Sequence, residues 1–101
     1  MERRRPTHDL RSVRRVLGAV ETLAITTTAL RDAVALGFDR RAICETIAEL
    51  RSDMFYKSMT TLSDHRQWQD VYHATQGDLT LYVKVQSDVV TEFRLVSFKE
   101  R

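Results

Sequence analysis

The sequence predicts an α+β fold: three N-terminal helices packed on one face of a mostly antiparallel C-terminal sheet. Apolar residues recur at helical spacing from Val13 to Leu50, then at the two-residue period of strands from Phe55 to Phe98. Capping residues and Gly37 punctuate the first half, and the turn signals Ser63-Asp64-His65 and Gln76-Gly77-Asp78 break up the second. Helices first and strands after is the segregated order that puts helices on one side of an antiparallel sheet and leaves the other side for solvent or a ligand.

Element by element, Asp9 or Ser12 caps a first helix whose buried stripe is Val13, Val16, Leu17 and Val20, with Arg11, Arg14 and Arg15 on its other side. Thr27 or Thr28 caps a second, with Leu30, Ala33 and Val34 inward and Gly37 as its stop. Asp39 caps a third, with Ile43, Ile47 and Leu50 inward and Cys44 beside them as an inert core thiol. Strand runs follow at 55–61 and 68–73. In the first, alternation sends Phe55, Lys57, Met59 and Thr61 to one side and Tyr56, Ser58 and Thr60 to the other. In the second, Trp68, Asp70 and Tyr72 oppose Gln69, Val71 and His73. A cleaner strand sends Leu79, Leu81, Val83 and Val85 to the core and Thr80, Tyr82, Lys84 and Gln86 away from it. The last run, Val89 to Phe98, is apolar in both phases, which requires either a central strand or a bulge between Leu95 and Val96.

The totals narrow the function classes. At 101 residues, 43% hydrophobic and 30% charged, the chain is expected to form one domain, residues 1–101, around one core. It has no apolar run near 18 residues and no apolar segment behind the N-terminus, so neither a membrane span nor a secretion signal is expected. A lone cysteine, Cys44, suits a reducing cytoplasm. With only His8, His65 and His73 beside it there is no metal-ligand spacing, and no metal or other cofactor is expected. Residues 1–16 hold six Arg against Glu2 and Asp9, a local net of +4 in a chain of net +2. That asymmetry points to an anionic partner, most simply a phosphate backbone.

Chemistry concentrates in FYKSMTTLSDHRQWQDVY, residues 55–72, which holds the only Trp, two of the three Tyr and a lysine among aromatics. No nucleophile elbow, phosphate-cradling glycine loop or carboxylate cluster accompanies it. Metal-free RNA cleavage remains open, permitted by the composition but not compelled by it. The 2′-hydroxyl attacks phosphorus if one group takes its proton, another stabilises the dianionic phosphorane and a third protonates the 5′-oxygen; Lys, Tyr, Gln and Arg can share those tasks. A lysine among other cations and apolar walls has a lowered pKa and could act as base, and aromatic rings stack splayed bases. The alternative is a basic module that binds RNA or DNA without cutting it.

The same stretch, with LYVKV at 81–85, the closing LVSFKER, the N-terminal ERRRPTHDL and LGFD at 36–39, resembles the motility quorum-sensing regulator (MqsR) toxins of bacterial type II toxin–antitoxin systems over nearly the whole chain. The resemblance implies a RelE-like (bacterial-RNase-like) fold and a metal-independent, ribosome-independent mRNA interferase cutting single-stranded mRNA at short GC-containing sequences. It also implies a cognate MqsA-type antitoxin that carries its own zinc-binding and DNA-binding domains, and that docks by strand addition or on the open face. Carried over by position, Lys57, Gln69 and Tyr82 are the catalytic candidates and Lys99 contacts phosphate. Lys57 is expected to be the base or main electrostatic stabiliser, Tyr82 a donor to phosphate or leaving group, and Gln69 a hydrogen-bond partner of phosphate or ribose. Lys84, Arg14 and Arg15 are expected to hold flanking backbone, with His65, Tyr56 and Met59 as a second tier. The segment QSDVVTEFR at 86–94 departs from the family pattern by its length.

Overall fold

A computed structural model describes all residues, Met1–Arg101. Its elements are β1 (Glu2–Arg3), α1 (Leu10–Leu17), α2 (Thr27–Ala35), α3 (Arg40–Ala48), a 3₁₀ turn (Ser52–Met54), β2 (Phe55–Thr60), β3 (Trp68–Gln76), β4 (Leu79–Asp88) and β5 (Glu92–Glu100). The strands form one sheet in the order β1-β2-β3-β4-β5, every neighbouring pair antiparallel. The predicted α+β arrangement is therefore the one observed, with a short strand, β1, added at one edge.

Local chemistry explains the helix ends. The Asp9 and Asp39 carboxylates accept from the backbone N–H of Ser12 and Ala42, and the Thr26 hydroxyl from that of Ala29. Each cap satisfies an otherwise orphaned donor, worth about 1 kcal/mol. The second helix is thus capped one residue earlier than expected. It ends at Gly37, whose φ of 93° a side chain would resist. Two expected core positions are surface ones: α1 stops before Val20, leaving it 49% exposed, and Val34 is 57% exposed while Ala29 turns inward instead.

The core lies between the helices and one sheet face. Val13, Val16, Leu17, Ile43, Ile47 and Leu50 pack on Tyr72, Ala74, Leu81, Val83, Val85, Leu95 and Phe98. The β5 register explains its two-phase apolar pattern: Ser97 pairs with Lys84 and Leu95 with Val85, so Val96 is an extra, bulged residue. Leu95 and Phe98 thereby reach the same buried side, on an edge strand rather than a central one. That edge is partly occupied, because Ala24 and Thr26 exchange backbone hydrogen bonds with Leu95.

Polar residues fasten the N-terminal segment to the helix side of the sheet. Asp70, fully buried, accepts from the backbone N–H of Thr7 and of His8 at 2.8–3.1 Å. The Thr7 hydroxyl shares a hydrogen bond with Ser58, and the Arg3 guanidinium lies 4.0 Å from the centre of the Trp68 ring. The sole tryptophan is therefore held by the chain's own arginine.

Candidate active site

The site is built on the sheet face opposite the helices. β4 alternation sends Tyr82, Lys84 and Gln86 there, since Leu81, Val83 and Val85 are buried on the other side. Antiparallel register then brings His73 opposite Tyr82, Val71 opposite Lys84 and Gln69 opposite Gln86 on β3. One strand further, Lys57 pairs with Val71 and Met59 with Gln69; on the other flank Lys99 pairs with Tyr82. Lys57, Met59, Gln69, Tyr82, Lys84 and Lys99, separated by up to 42 positions in the chain, thus share one face.

A bulge sets the fine geometry. Phe55 pairs with Tyr72 and Lys57 with Val71, so Tyr56 is unopposed. Simple alternation expected Phe55 to share a face with Lys57 and Tyr56 to oppose it. The extra residue reverses both relations: Phe55 packs into the core against Tyr72, and Tyr56 joins Lys57 on the open face. There its ring stacks on the His73 imidazole, centroids 4.3 Å apart and planes 23° from parallel. His73 lies 6.1 Å from the Tyr82 ring, and the Lys99 and Lys84 ammonium groups stand 5.5 and 5.9 Å from that ring's centre.

The lysines differ in state. Lys57 donates a 2.9 Å hydrogen bond to Glu2, and this partner raises its pKa above the ordinary 10.5. Lys57 is therefore held as a cation, and the expectation of a lysine base with a lowered pKa fails for it. β1 is the cause, because pairing Glu2 with Met59 and Arg3 with Ser58 delivers the carboxylate to Lys57. The lowered value belongs to Lys84, where burial acts first and the charges of Lys99 and Lys57 add to it. Gln69 is nearly buried and donates to the Gln86 side-chain oxygen at 2.8 Å, which fixes its amide orientation.

Other candidates fall elsewhere. Arg14 donates to the Leu50 carbonyl at 2.7 Å and Arg15 pairs with Glu92 at 3.1 Å, both in the helical layer and apart from the Lys57 face. Their place as flanking contacts is corrected accordingly. His65 is exposed in the loop between β2 and β3, whereas His73, in the centre of the cluster, received no role from the sequence. The period-two pattern of β3 had already put His73 on the side of Gln69; that was the signal available. The Cys44 thiol is buried, and burial raises its pKa despite Arg40 one turn away, as suits an inert core residue.

The open face is shallow. Clefts of about 460 to 530 Å³ lie around the helices and the β4–β5 turn, but the Lys57 side holds only one of about 50 Å³, lined by Glu2, Arg4, Tyr56 and Lys57. A flat surface of cations and rings suits an extended polyanion better than an enclosed small molecule. No helix is long and apolar enough to cross a membrane.

Fold and site together define a small α+β protein that offers one bare, cation- and aromatic-bearing sheet face. The chain belongs to the family described as motility quorum-sensing regulator, toxin of MqsA, whose profile matches residues 5–100. It is similar to the mRNA interferase toxin MqsR of Escherichia coli (strain K12), with 40% identity over 101 residues that cover 100% of both chains.

Proposed function

We propose that this chain is the toxin of a toxin–antitoxin pair and acts as an endoribonuclease that cuts single-stranded mRNA on the open sheet face, without a metal. The observation that carries the reading is the convergence of Lys57, Gln69, Tyr82, Lys84 and Lys99 on that face around a tyrosine–histidine stack. The matching family and the mRNA interferase relative support it.

The chemistry follows from the groups present. The 2′-oxygen attacks the adjacent phosphorus, the bond from phosphorus to the 5′-oxygen breaks, and the products end in a 2′,3′-cyclic phosphate and a 5′-hydroxyl. Lys57, held protonated by Glu2, stabilises the charge that grows on the phosphorane oxygens. Tyr82 donates to the leaving 5′-oxygen, Gln69 hydrogen-bonds the phosphate or ribose, and Lys84 and Lys99 neutralise neighbouring phosphates. Tyr56 and Met59 offer apolar surface to a base beside Lys57.

The partner is read as an MqsA-type antitoxin bearing its own zinc-binding and DNA-binding domains. The sheet edges differ in what they offer it for strand addition: residues 24–26 partly cover β5, while β1 pairs only with Ser58 and Met59 and leaves residues 55–57 of β2 unpaired at that edge.

Incubating the purified protein with naked mRNA in EDTA, and mapping the new 5′ ends for wild type and Lys57→Ala, tests the reading. Discrete 5′-hydroxyl ends made by the wild type and nearly lost in the variant are expected. Intact RNA bound by the wild type would instead establish a binding module.

A further inference from the structure

With Lys57 locked to Glu2 as a cation, the site needs another group to remove the 2′-hydroxyl proton. We propose that His73 is that general base, a role that rests on the endoribonuclease reading above.

Position is the first support. His73 lies on β3, in the middle strand of the five, with its imidazole on the open face between Tyr56 from β2 and Tyr82 from β4. The near-parallel stack with Tyr56 fixes the ring plane, so a ring nitrogen can be presented along the edge of the stack rather than through its face. The bulge that turns Tyr56 onto this face is what makes the stack possible.

The charges around the ring are the second support. From β2 it is faced by Tyr56 and Lys57, the latter backed by Glu2 of β1; from β4 by Tyr82 and Lys84; and from β5 and the residue after it by Lys99 and Arg101. Apart from Glu2, which is engaged with Lys57, every charged group in that set is a cation. Burial and then the Arg101 charge hold the His73 pKa below its ordinary 6.5. The imidazole is therefore neutral at pH 7, the form a base requires. Burial in the stack, with the Arg101 charge added to it, keeps the base unprotonated.

In the step, a neutral His73 nitrogen accepts the 2′-hydroxyl proton as the 2′-oxygen bonds to phosphorus. The bond to the 5′-oxygen then breaks, and that oxygen takes the Tyr82 phenolic proton. Proton transfer from the imidazolium through solvent restores the phenol, so no proton or electron is left over.

The test is the pH dependence of single-turnover cleavage of a naked transcript by the intact protein. For wild type, the rate should rise about tenfold per pH unit below the imidazole pKa and level off above it. His73→Ala should lower the rate at pH 7 by about 10²-fold or more and abolish that acid limb, and added imidazole should restore part of the rate. Restoration by a free base is a signature that a purely structural role would not give. A wild-type profile with no acid limb, or a variant within about threefold of wild type, would overturn the assignment, and the wild-type profile needs no variant to fold. Failure of wild type to cut naked RNA at any pH would overturn the endoribonuclease reading itself. Cutting that survives loss of His73 would overturn only the base.

Discussion

On the helix side of the sheet, Asp70 is wholly buried, and its charge is met by backbone N–H groups of Thr7 and His8. On the other side, Lys57, Lys84 and Lys99 gather around aromatic rings, and Glu2 alone answers them, in an ion pair with Lys57 whose carboxylate is 61% exposed. Both faces are drawn from the same strands; Asp70 and Val71 are neighbours in sequence and point opposite ways. The comparison separates two uses of charge. A buried carboxylate surrounded by donors fastens one segment to another, while half-buried and exposed cations left short of counter-charge are available to a polyanion.

The largest effect should come from the fastening side. Asp70→Ala leaves the N–H groups of Thr7 and His8 without their acceptor and should cost about 3 kcal/mol, read as a lower urea midpoint at unchanged slope. A loss under about 1 kcal/mol would mean that water replaces the carboxylate and that the latch is weak. On the open side, Lys57→Ala and Tyr82→Phe should each lower the cleavage rate by about 10²-fold or more while leaving the urea midpoint nearly unchanged. If instead stability fell and the rate per folded molecule held, the roles of the two faces would be reversed.

Much of this division was legible in the sequence, and its gaps have physical causes. The caps at Asp9 and Asp39 and the alternation of β4 rest on neighbours in sequence, where local rules suffice, whereas the two-phase pattern near Val96 left a central strand and a bulge open until pairing with β4 chose the bulge. Three features depended on distant partners and escaped. β1 is only two residues long, too short to show a period, yet it carries Glu2 across 55 positions to Lys57. The bulge at Tyr56 is set by β3 register rather than by any residue that signals a turn. His73 has no role legible from its neighbours in sequence, because a histidine within a strand gains meaning only when Tyr56 and Tyr82 close on it.

A smaller effect concerns Tyr72, whose buried hydroxyl has no hydrogen-bond partner and whose pKa burial raises to about 12. An acid whose folded pKa lies above its ordinary 10.0 loses its proton first in the unfolded chain. Stability should accordingly fall as pH climbs from 10 towards 12. Tyr72→Phe should hold or gain up to about 1 kcal/mol at pH 7 and remove part of the alkaline decline, as urea midpoints at neutral and alkaline pH would show. A large loss at pH 7 would reveal a partner for the hydroxyl.

The smallest effect belongs to Glu2. Its pKa is lowered and that of Lys57 raised, so the pair's stabilisation is complete between their ordinary values of 4.5 and 10.5 and fades on either side. Glu2→Gln leaves Lys57 charged but unpaired, and should tighten RNA binding about threefold with little change in stability. Weaker binding would show that the carboxylate positions Lys57 rather than competing with the phosphate for it.

The most direct measurement of where RNA lies is the salt dependence of binding to a non-cleavable 2′-O-methylated strand. Lys84→Ala and Lys99→Ala should each flatten the slope of log affinity against log salt by about 0.7, the value for one lost phosphate contact on a single strand. Arg41→Ala, on an exposed position of α3, should leave the slope as it is. An unchanged slope in both lysine variants, or an equal fall in the arginine variant, would contradict the assignment of RNA to the open face.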